Sequence, residues 1–86
     1  MKTAIITGAG SGIGLGTAKK MHAQGFAIVG VGRDEGKLTA LEAELASDRI
    51  AIISADITAD DAPRRIVDFA LERFGSIDFL IDNAGA

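Results

Sequence analysis

Cysteine, tryptophan and tyrosine are absent from this chain of 86 residues, and proline and histidine occur once each. Without cysteine there are no disulfides or thiolate metal sites, which fits a reducing compartment. Apolar runs are too short for a membrane span or a signal peptide. The net charge of −3, without a basic run, gives no support for nucleic-acid binding. We therefore expect a cytoplasmic protein that binds neither membrane nor nucleic acid. The single histidine, His22, is expected to face solvent rather than to hold a metal.

What the chain does have is an alternation of short apolar runs with helical patterns. Its length allows one domain with a small core, and 48% apolar residues exclude disorder. The predicted strands span 2–6, 26–31, 49–53 and 78–82, and the predicted helices span 12–24, 34–46 and 61–74. Strand–helix alternation with short connections predicts an α/β fold with a parallel sheet. In doubly wound order the strands lie 3-2-1-4, with helices on both faces and a ligand crevice at the carboxyl ends.

A glycine-rich turn joins the first strand to the first helix. Glycines allow positive φ and remove the Cβ atoms that would keep a pyrophosphate away from the backbone. The amides of the first helical turn, at the positive end of the helix dipole, then face the phosphates. No Gly-Lys-Ser/Thr follows, which argues against an ATPase-type loop; a plain turn without a ligand is the alternative. The candidate cofactor contacts in the turn are Gly8, Gly10, Ser11, Gly12, Ile13 and Gly14.

The end of the second strand bears on the choice of cofactor. Folds that bind NAD usually place an acidic residue there for the ribose hydroxyls, but this chain has Gly32 followed by Arg33. A guanidinium can hold a 2′-phosphate that a carboxylate would repel, so NADP is favoured over NAD. Asp34 could blunt this charge or cap the next helix, and a solvated loop charge is the alternative interpretation of Arg33.

Three motifs together resemble those of the short-chain dehydrogenase/reductase family. Thr7-Gly8 with Gly12-Ile13-Gly14 matches T-G-x-x-x-G-x-G, Asp56-Ile57-Thr58 resembles D-V-T/S, and Asn83-Ala84-Gly85 resembles the end of N-N-A-G. The resemblance implies a Rossmann-type fold in which Asp56, with Ile57, contacts the adenine. It also implies that Asn83, Ala84 and Gly85 pass beside the cofactor ribose. Asp82 departs from the family's first asparagine, which puts its hydrogen bond to the neighbouring loop in question.

The resemblance also implies what the chain does. The family's catalytic serine and Tyr-x-x-x-Lys lie downstream of N-A-G, and this sequence contains no tyrosine. We therefore expect residues 1–86 to be the cofactor-binding N-terminal half of an NADP(H)-dependent oxidoreductase that transfers hydride between cofactor and a carbonyl or alcohol. The chain is expected to contain no catalytic residue and to be inactive alone. Two alternatives stay open: a non-catalytic half-domain that binds a nucleotide or a partner chain, and a structural fragment without a ligand.

The fourth strand predicts association. In the order 3-2-1-4 it lies at an edge of the sheet, where Phe79, Leu80 and Ile81 have unpaired backbone groups and no covering helix. Such an edge is a template for pairing, although Asp78 and Asp82 flank it. We expect the chain to self-associate through this edge.

Overall fold

The computed structural model describes residues 1–83, in which strands and helices alternate from beginning to end. The elements are β1 (Thr3–Thr7), α1 (Gly12–Ala23), β2 (Ala27–Gly32), α2 (Glu35–Leu45), β3 (Ile50–Ser54), α3 (Ala62–Phe74) and β4 (Phe79–Asp82). Each was predicted, with bounds that differ by at most one residue. β2 begins one residue late because the Phe26 amide donates to the Met21 carbonyl (3.1 Å) in the turn that ends α1.

The strands form one parallel sheet in the order β3-β2-β1-β4. This confirms the predicted α/β fold and strand order. At the centre of the sheet, Ile5 of β1 lies opposite Val29 of β2 on one side and Leu80 of β4 on the other. Because all strands run in the same direction, their carboxyl ends meet at one edge, where the turn after β1 begins.

Both faces of the central strands are buried, and successive side chains alternate between them. Ile6 and Ile28 pack with Leu38 and Leu41 of α2 on one face. On the other face, residues of β1 and β2 pack with α3: Ile5, Val29, Val31, Ile66 and Ala70. Continuous apolar strands are therefore required, since a polar residue at any of these positions would be buried without a partner.

The second helix begins where the sequence places a cap. The carboxylate of Asp34 accepts a hydrogen bond from the Lys37 amide (3.1 Å), which satisfies an amide of the first turn. Leu38 and Leu41 then face the sheet, as their spacing predicts. Asp34 therefore acts as the helix cap, which was one of its two predicted roles.

The expectation that His22 faces solvent was wrong. Its Nε2 is buried and has no hydrogen-bond partner among residues 1–83. Arg49 donates from Nη1 to the carbonyls of both His22 (3.0 Å) and Phe26 (2.8 Å), which ties the start of β3 to the end of α1. Burial, with a smaller contribution from the Arg49 charge, lowers the pKa of His22 below its usual 6.5. The residue is thus half-buried at the end of α1, with its Nε2 away from solvent.

β4 is the least covered strand of the sheet. Phe79 is 42% exposed and Leu80 67% exposed, whereas β1 is buried throughout. The Phe79 ring meets Phe26 edge-on, with ring centroids 5.6 Å apart, and this contact covers only one face of the strand.

No helix within residues 1–83 is long and apolar enough to cross a membrane. The same residues contain no cluster of His, Asp or Glu suited to a metal ion.

Candidate cofactor-binding site

The turn between β1 and α1 takes a path that depends on glycine. Gly8 and Gly12 have φ of 65° and 58°, in the left-handed region that other residues rarely adopt. A Cβ on Gly12 would meet no atom within 4 Å, so the space above this residue is open. The turn therefore leaves room beside its backbone at the start of the helix.

The start of α1 presents unused hydrogen-bond donors. The first amide to bond back is that of Leu15, which donates to the Ser11 carbonyl (3.3 Å), so the preceding helical amides have no intrahelical acceptor. Ser11 occupies the cap position, but its hydroxyl makes no capping hydrogen bond. Ile13 projects beside them and is 78% exposed. Free amides, an exposed hydroxyl and an exposed apolar side chain thus lie together at the helix start, an arrangement suited to an anion attached to a less polar group.

Gly14 fixes the position of this helix start. A Cβ built on it would overlap the carbonyl oxygen of Gly8 and lie 2.7 Å from the carbonyl carbon. The first turn of α1 is therefore in direct backbone contact with the beginning of the loop. This close approach fixes the start of α1, and hence the positive end of its dipole, beside the loop.

A cavity of about 400 Å³ opens beside the turn, at the carboxyl ends of β2 and β3. The Ala9 amide donates to the Val31 carbonyl (3.1 Å), which holds the turn against the end of β2. The cavity has apolar walls with polar groups at its rim, as small-molecule sites usually do. It is lined by Gly8, Val31, Gly32, Arg33, Ala55, Asp56, Ile57 and Thr58.

Arg33 and Asp56 face each other across the rim of this cavity, with 3.7 Å between Nη1 and Oδ2. The other oxygen of Asp56, Oδ1, accepts from the Thr58 hydroxyl (2.6 Å) and the Thr58 amide (2.9 Å). These two hydrogen bonds, more than the nearby Arg33, lower the pKa of Asp56. The Arg33 side chain is 76% exposed, so this long ion pair restrains it little. The carboxylate that partly offsets the charge of Arg33 is thus that of Asp56, whereas the carboxylate of Asp34 caps α2.

The end of β4 is joined to the root of the glycine-rich turn. The Thr7 hydroxyl donates to Oδ1 of Asp82 (2.7 Å), and its oxygen accepts from the Asn83 amide (3.0 Å). The sequence left open whether Asp82 could hydrogen-bond to the neighbouring loop. The bond is made with Thr7 at the root of that loop, because the carboxylate needs only to accept here. The side-chain amide nitrogen of Asn83 is buried without a hydrogen-bond partner among residues 1–83. A buried donor of this kind is costly unless a ligand or water satisfies it.

The structure brings the predicted residues of the turn, of β2 and of the loop after β3 to one edge of the sheet, and Asn83 adjoins them through Thr7. Ala84 and Gly85 lie outside the described residues. Sequence reasoning missed the bond from Thr7 to Asp82 and the contact of Lys37 with Gly10, because both join distant parts of the chain. The open space at Gly12, the unused helix amides and the adjoining cavity together form a site that a dinucleotide would fit.

Comparison with known proteins gives the family. The sequence model of the short chain dehydrogenase family matches residues 2–86 of this chain. This chain belongs to that family. Among curated proteins, it is 36% identical over 84 residues to an uncharacterized oxidoreductase of Staphylococcus aureus (strain MRSA252) and 38% identical to one of Staphylococcus epidermidis. In both cases the match covers 98% of this chain and 36% of the relative, so the chain spans about a third of its relatives' length.

Solved structures agree with the family assignment. Glucose dehydrogenase of Caenorhabditis elegans, in its apo form, superposes with a TM-score of 0.93 at 32% identity over 98% of this chain and 38% of that one. The 3-ketoacyl-(acyl-carrier-protein) reductase of Brucella melitensis, complexed with NADH, gives 0.87 at 38% identity over 92% and 32%. The C-domain of a bacterial malonyl-CoA reductase with NADP gives 0.93 at 31% identity over 99% and 15%. The family binds nicotinamide dinucleotides, and these neighbours include one structure with NADH and one with NADP.

Proposed function

We propose that this chain is the cofactor-binding portion of an NADP(H)-dependent oxidoreductase, with residues 1–86 as one nucleotide-binding unit. When bound, the cofactor supplies or accepts hydride, and the partner substrate is a carbonyl compound or an alcohol. The chain's own task is to bind and orient the dinucleotide, and we assign none of its residues a catalytic role. A cytoplasmic location stays a prediction from the sequence.

Each part of the proposed site has a separate task. The turn from Gly8 to Gly14, with Gly10, Ser11, Gly12 and Ile13 between them, receives the pyrophosphate on backbone amides and the Ser11 hydroxyl. Asp56 and Ile57 hold the adenine: the apolar side chain lines the cavity, and the carboxylate accepts from the exocyclic amine. Asn83, Ala84 and Gly85 border the ribose nearer the nicotinamide, where the unsatisfied side-chain amide nitrogen of Asn83 supports a hydrogen bond to the cofactor.

The observation that carries the choice of NADP is the exposed Arg33 at the cavity rim. Gly32 before it has no side chain, and the nearest carboxylate, on Asp56, has one oxygen occupied by Thr58. A 2′-phosphate would bring two negative charges to a guanidinium that is only loosely held at 3.7 Å. Replacing that weak surface pair by charge-assisted hydrogen bonds favours the phosphorylated cofactor.

The test is the affinity of the chain for NADPH and NADH, measured by calorimetry with the unaltered chain and with Arg33→Ala. A hydrogen bond to a charged group contributes about 1.5 kcal/mol at the lower end of its range, which corresponds to about tenfold in affinity. We therefore expect Arg33→Ala to weaken NADPH binding about tenfold and to leave NADH binding nearly unchanged.

Arg73→Ala is the matched control, because it removes the same charge from the last turn of α3. Helices antiparallel to the strands end at the amino edge of the sheet, so this residue lies away from the cavity. The control is expected to retain the NADPH preference. Equal affinity of the unaltered chain for the two cofactors would contradict the choice of NADP, and absence of binding to either would contradict the proposed function.

A second role, pairing with a partner chain, is supported by the exposed edge of β4. Leu80 is 67% exposed there, and it lines an apolar cavity together with Val67 of α3, which is also exposed. We propose that this edge associates with a second copy of the chain, since an uncovered parallel strand offers its amides and carbonyls for pairing. Pairing would use the backbone of β4, whereas the cavity lies at the ends of β2 and β3, so association is compatible with filling that cavity.

A further inference from the structure

Lys37, in the first turn of α2, lies against the glycine-rich turn. A Cβ built on Gly10 would be 3.0 Å from the Cβ of Lys37 and 3.8 Å from its Cδ. The aliphatic stem of the lysine therefore runs along the backbone of Gly10, in space that any side chain at that position would contest. The contact is between residues that are distant in sequence, and it brings a cation to the turn proposed to receive phosphate.

Hydrogen bonds and packing hold this part of the molecule together. The Ala9 amide donates to the Val31 carbonyl (3.1 Å), which joins the turn to β2. A Cβ on Gly32 would lie 3.4 Å from Cδ2 of Leu38, so the end of β2 packs beneath the first turn of α2. Lys37 precedes Leu38 in that turn. The turn after β1, the end of β2 with Arg33, and Lys37 consequently share one corner of the molecule.

The two lysines at this corner, Lys19 and Lys37, differ in whether a carboxylate already pairs with the ammonium group. Lys19, which lines the same small groove as Lys37 and Gly10, has its Nζ 2.6 Å from Oε2 of Glu44. Within residues 1–83, the Lys37 ammonium has no carboxylate within ion-pair distance. The nearby carboxylate of Asp34 accepts from the Lys37 backbone amide instead. Lys37 is thus the cation at the turn whose charge is not countered.

We infer that Lys37 is a second specificity-determining cation for the 2′-phosphate of the cofactor, acting beside Arg33. The inference rests on the proposed NADP(H) binding and assigns a further residue to it. Gly10 admits the lysine stem across the turn, and the flexible end of the side chain reaches the phosphate as a point charge. Arg33 and Lys37 together would then meet a phosphate with two negative charges, which neither cation balances alone.

The test separates the charge of Lys37 from its stem. Lys37→Met keeps an unbranched apolar chain and removes the charge, whereas Lys37→Arg keeps the charge. The matched control is Lys19→Met, which removes a charge of the same groove that Glu44 already neutralises. Binding of four probes is measured by calorimetry: NADPH, NADH, adenosine 2′,5′-bisphosphate and adenosine 5′-monophosphate. Far-UV circular dichroism checks that each variant is folded.

Lys37→Met is expected to weaken binding of NADPH and of the bisphosphate about two- to fivefold, the range of an exposed ion pair. Binding of NADH and the monophosphate should not change in Lys37→Met. Lys37→Arg and Lys19→Met should both retain the preference for NADPH. The loss should shrink as salt screens the charges. An unaltered NADPH-to-NADH ratio in Lys37→Met would overturn the inference, as would an equal loss for all four probes, which indicates a packing role only. If the unaltered chain itself shows no NADPH preference, the proposed cofactor choice fails, and Lys37 with it.

Discussion

Gly14→Ala is the substitution that tests the geometry of the site most directly. The added Cβ would overlap the Gly8 carbonyl oxygen, a backbone atom that cannot rotate away. Overpacking costs about 1–3 kcal/mol, and a rigid obstacle puts this site at the upper end. Replacing a helical glycine by alanine returns about 1 kcal/mol. We therefore expect Gly14→Ala to lower the free energy of unfolding by about 2 kcal/mol.

Gly16→Ala is the control that the same helix provides. Gly16 is exposed, and a Cβ built on it would meet nothing within 4 Å. Alanine should therefore raise the free energy of unfolding by about 0.5–1 kcal/mol through helix propensity alone. Two substitutions of the same kind, two residues apart, are thus expected to act in opposite directions.

The assay is urea unfolding followed by circular dichroism, because the chain has no tryptophan or tyrosine to report by fluorescence. For a domain of this size a 2 kcal/mol loss corresponds to a melting temperature lower by roughly 8–16 °C. If Gly14→Ala were as stabilising as Gly16→Ala, the first turn of α1 would not be packed on Gly8, and the described helix start would be refuted.

Two further perturbations probe the rest of the fold. Because burial lowers the pKa of His22 below 6.5, the unfolded chain binds its proton first as pH falls, so stability should decrease below about pH 6.5. His22→Gln should remove that part of the slope, and an unchanged pH profile of unfolding would contradict the burial of His22. Leu80→Lys should shift any self-association towards monomer in sedimentation at several concentrations, whereas Thr39→Lys, at an exposed position of α2, should not. A concentration-independent monomer for the unaltered chain would refute pairing through β4.

The fold could be predicted because its determinants are local in sequence. Four apolar runs alternate with helical patterns, and connections this short admit only parallel strands with crossovers. The leucine spacing of α2 and the cap at Asp34 also follow from local rules, and the structure confirms both. Element bounds differed where a turn hydrogen bond intervened, as with the Phe26 amide at the start of β2.

Contacts between distant segments could not be predicted in the same way. His22 was expected to face solvent because no partner lies near it in sequence, but Arg49 binds the carbonyls around it from the start of β3. The pairing of Arg33 with Asp56 depends on β2 and β3 ending side by side. Such contacts require the packed positions of several elements, which periodicity and propensity do not give.

The spacing of the glycine-rich motif does not by itself reveal why each of its glycines is required. Gly12 is needed for its φ of 58°, and open space surrounds it. Gly14 is needed because the Gly8 carbonyl occupies the place of a Cβ, and Gly10 because the Lys37 stem lies there. One residue type thus meets three requirements: a backbone conformation, a helix contact and access for a neighbouring side chain. A substitution at Gly14 should disturb packing first, and one at Gly10 should disturb Lys37 first, so stability can be tested separately from the proposed role of Lys37 in cofactor choice.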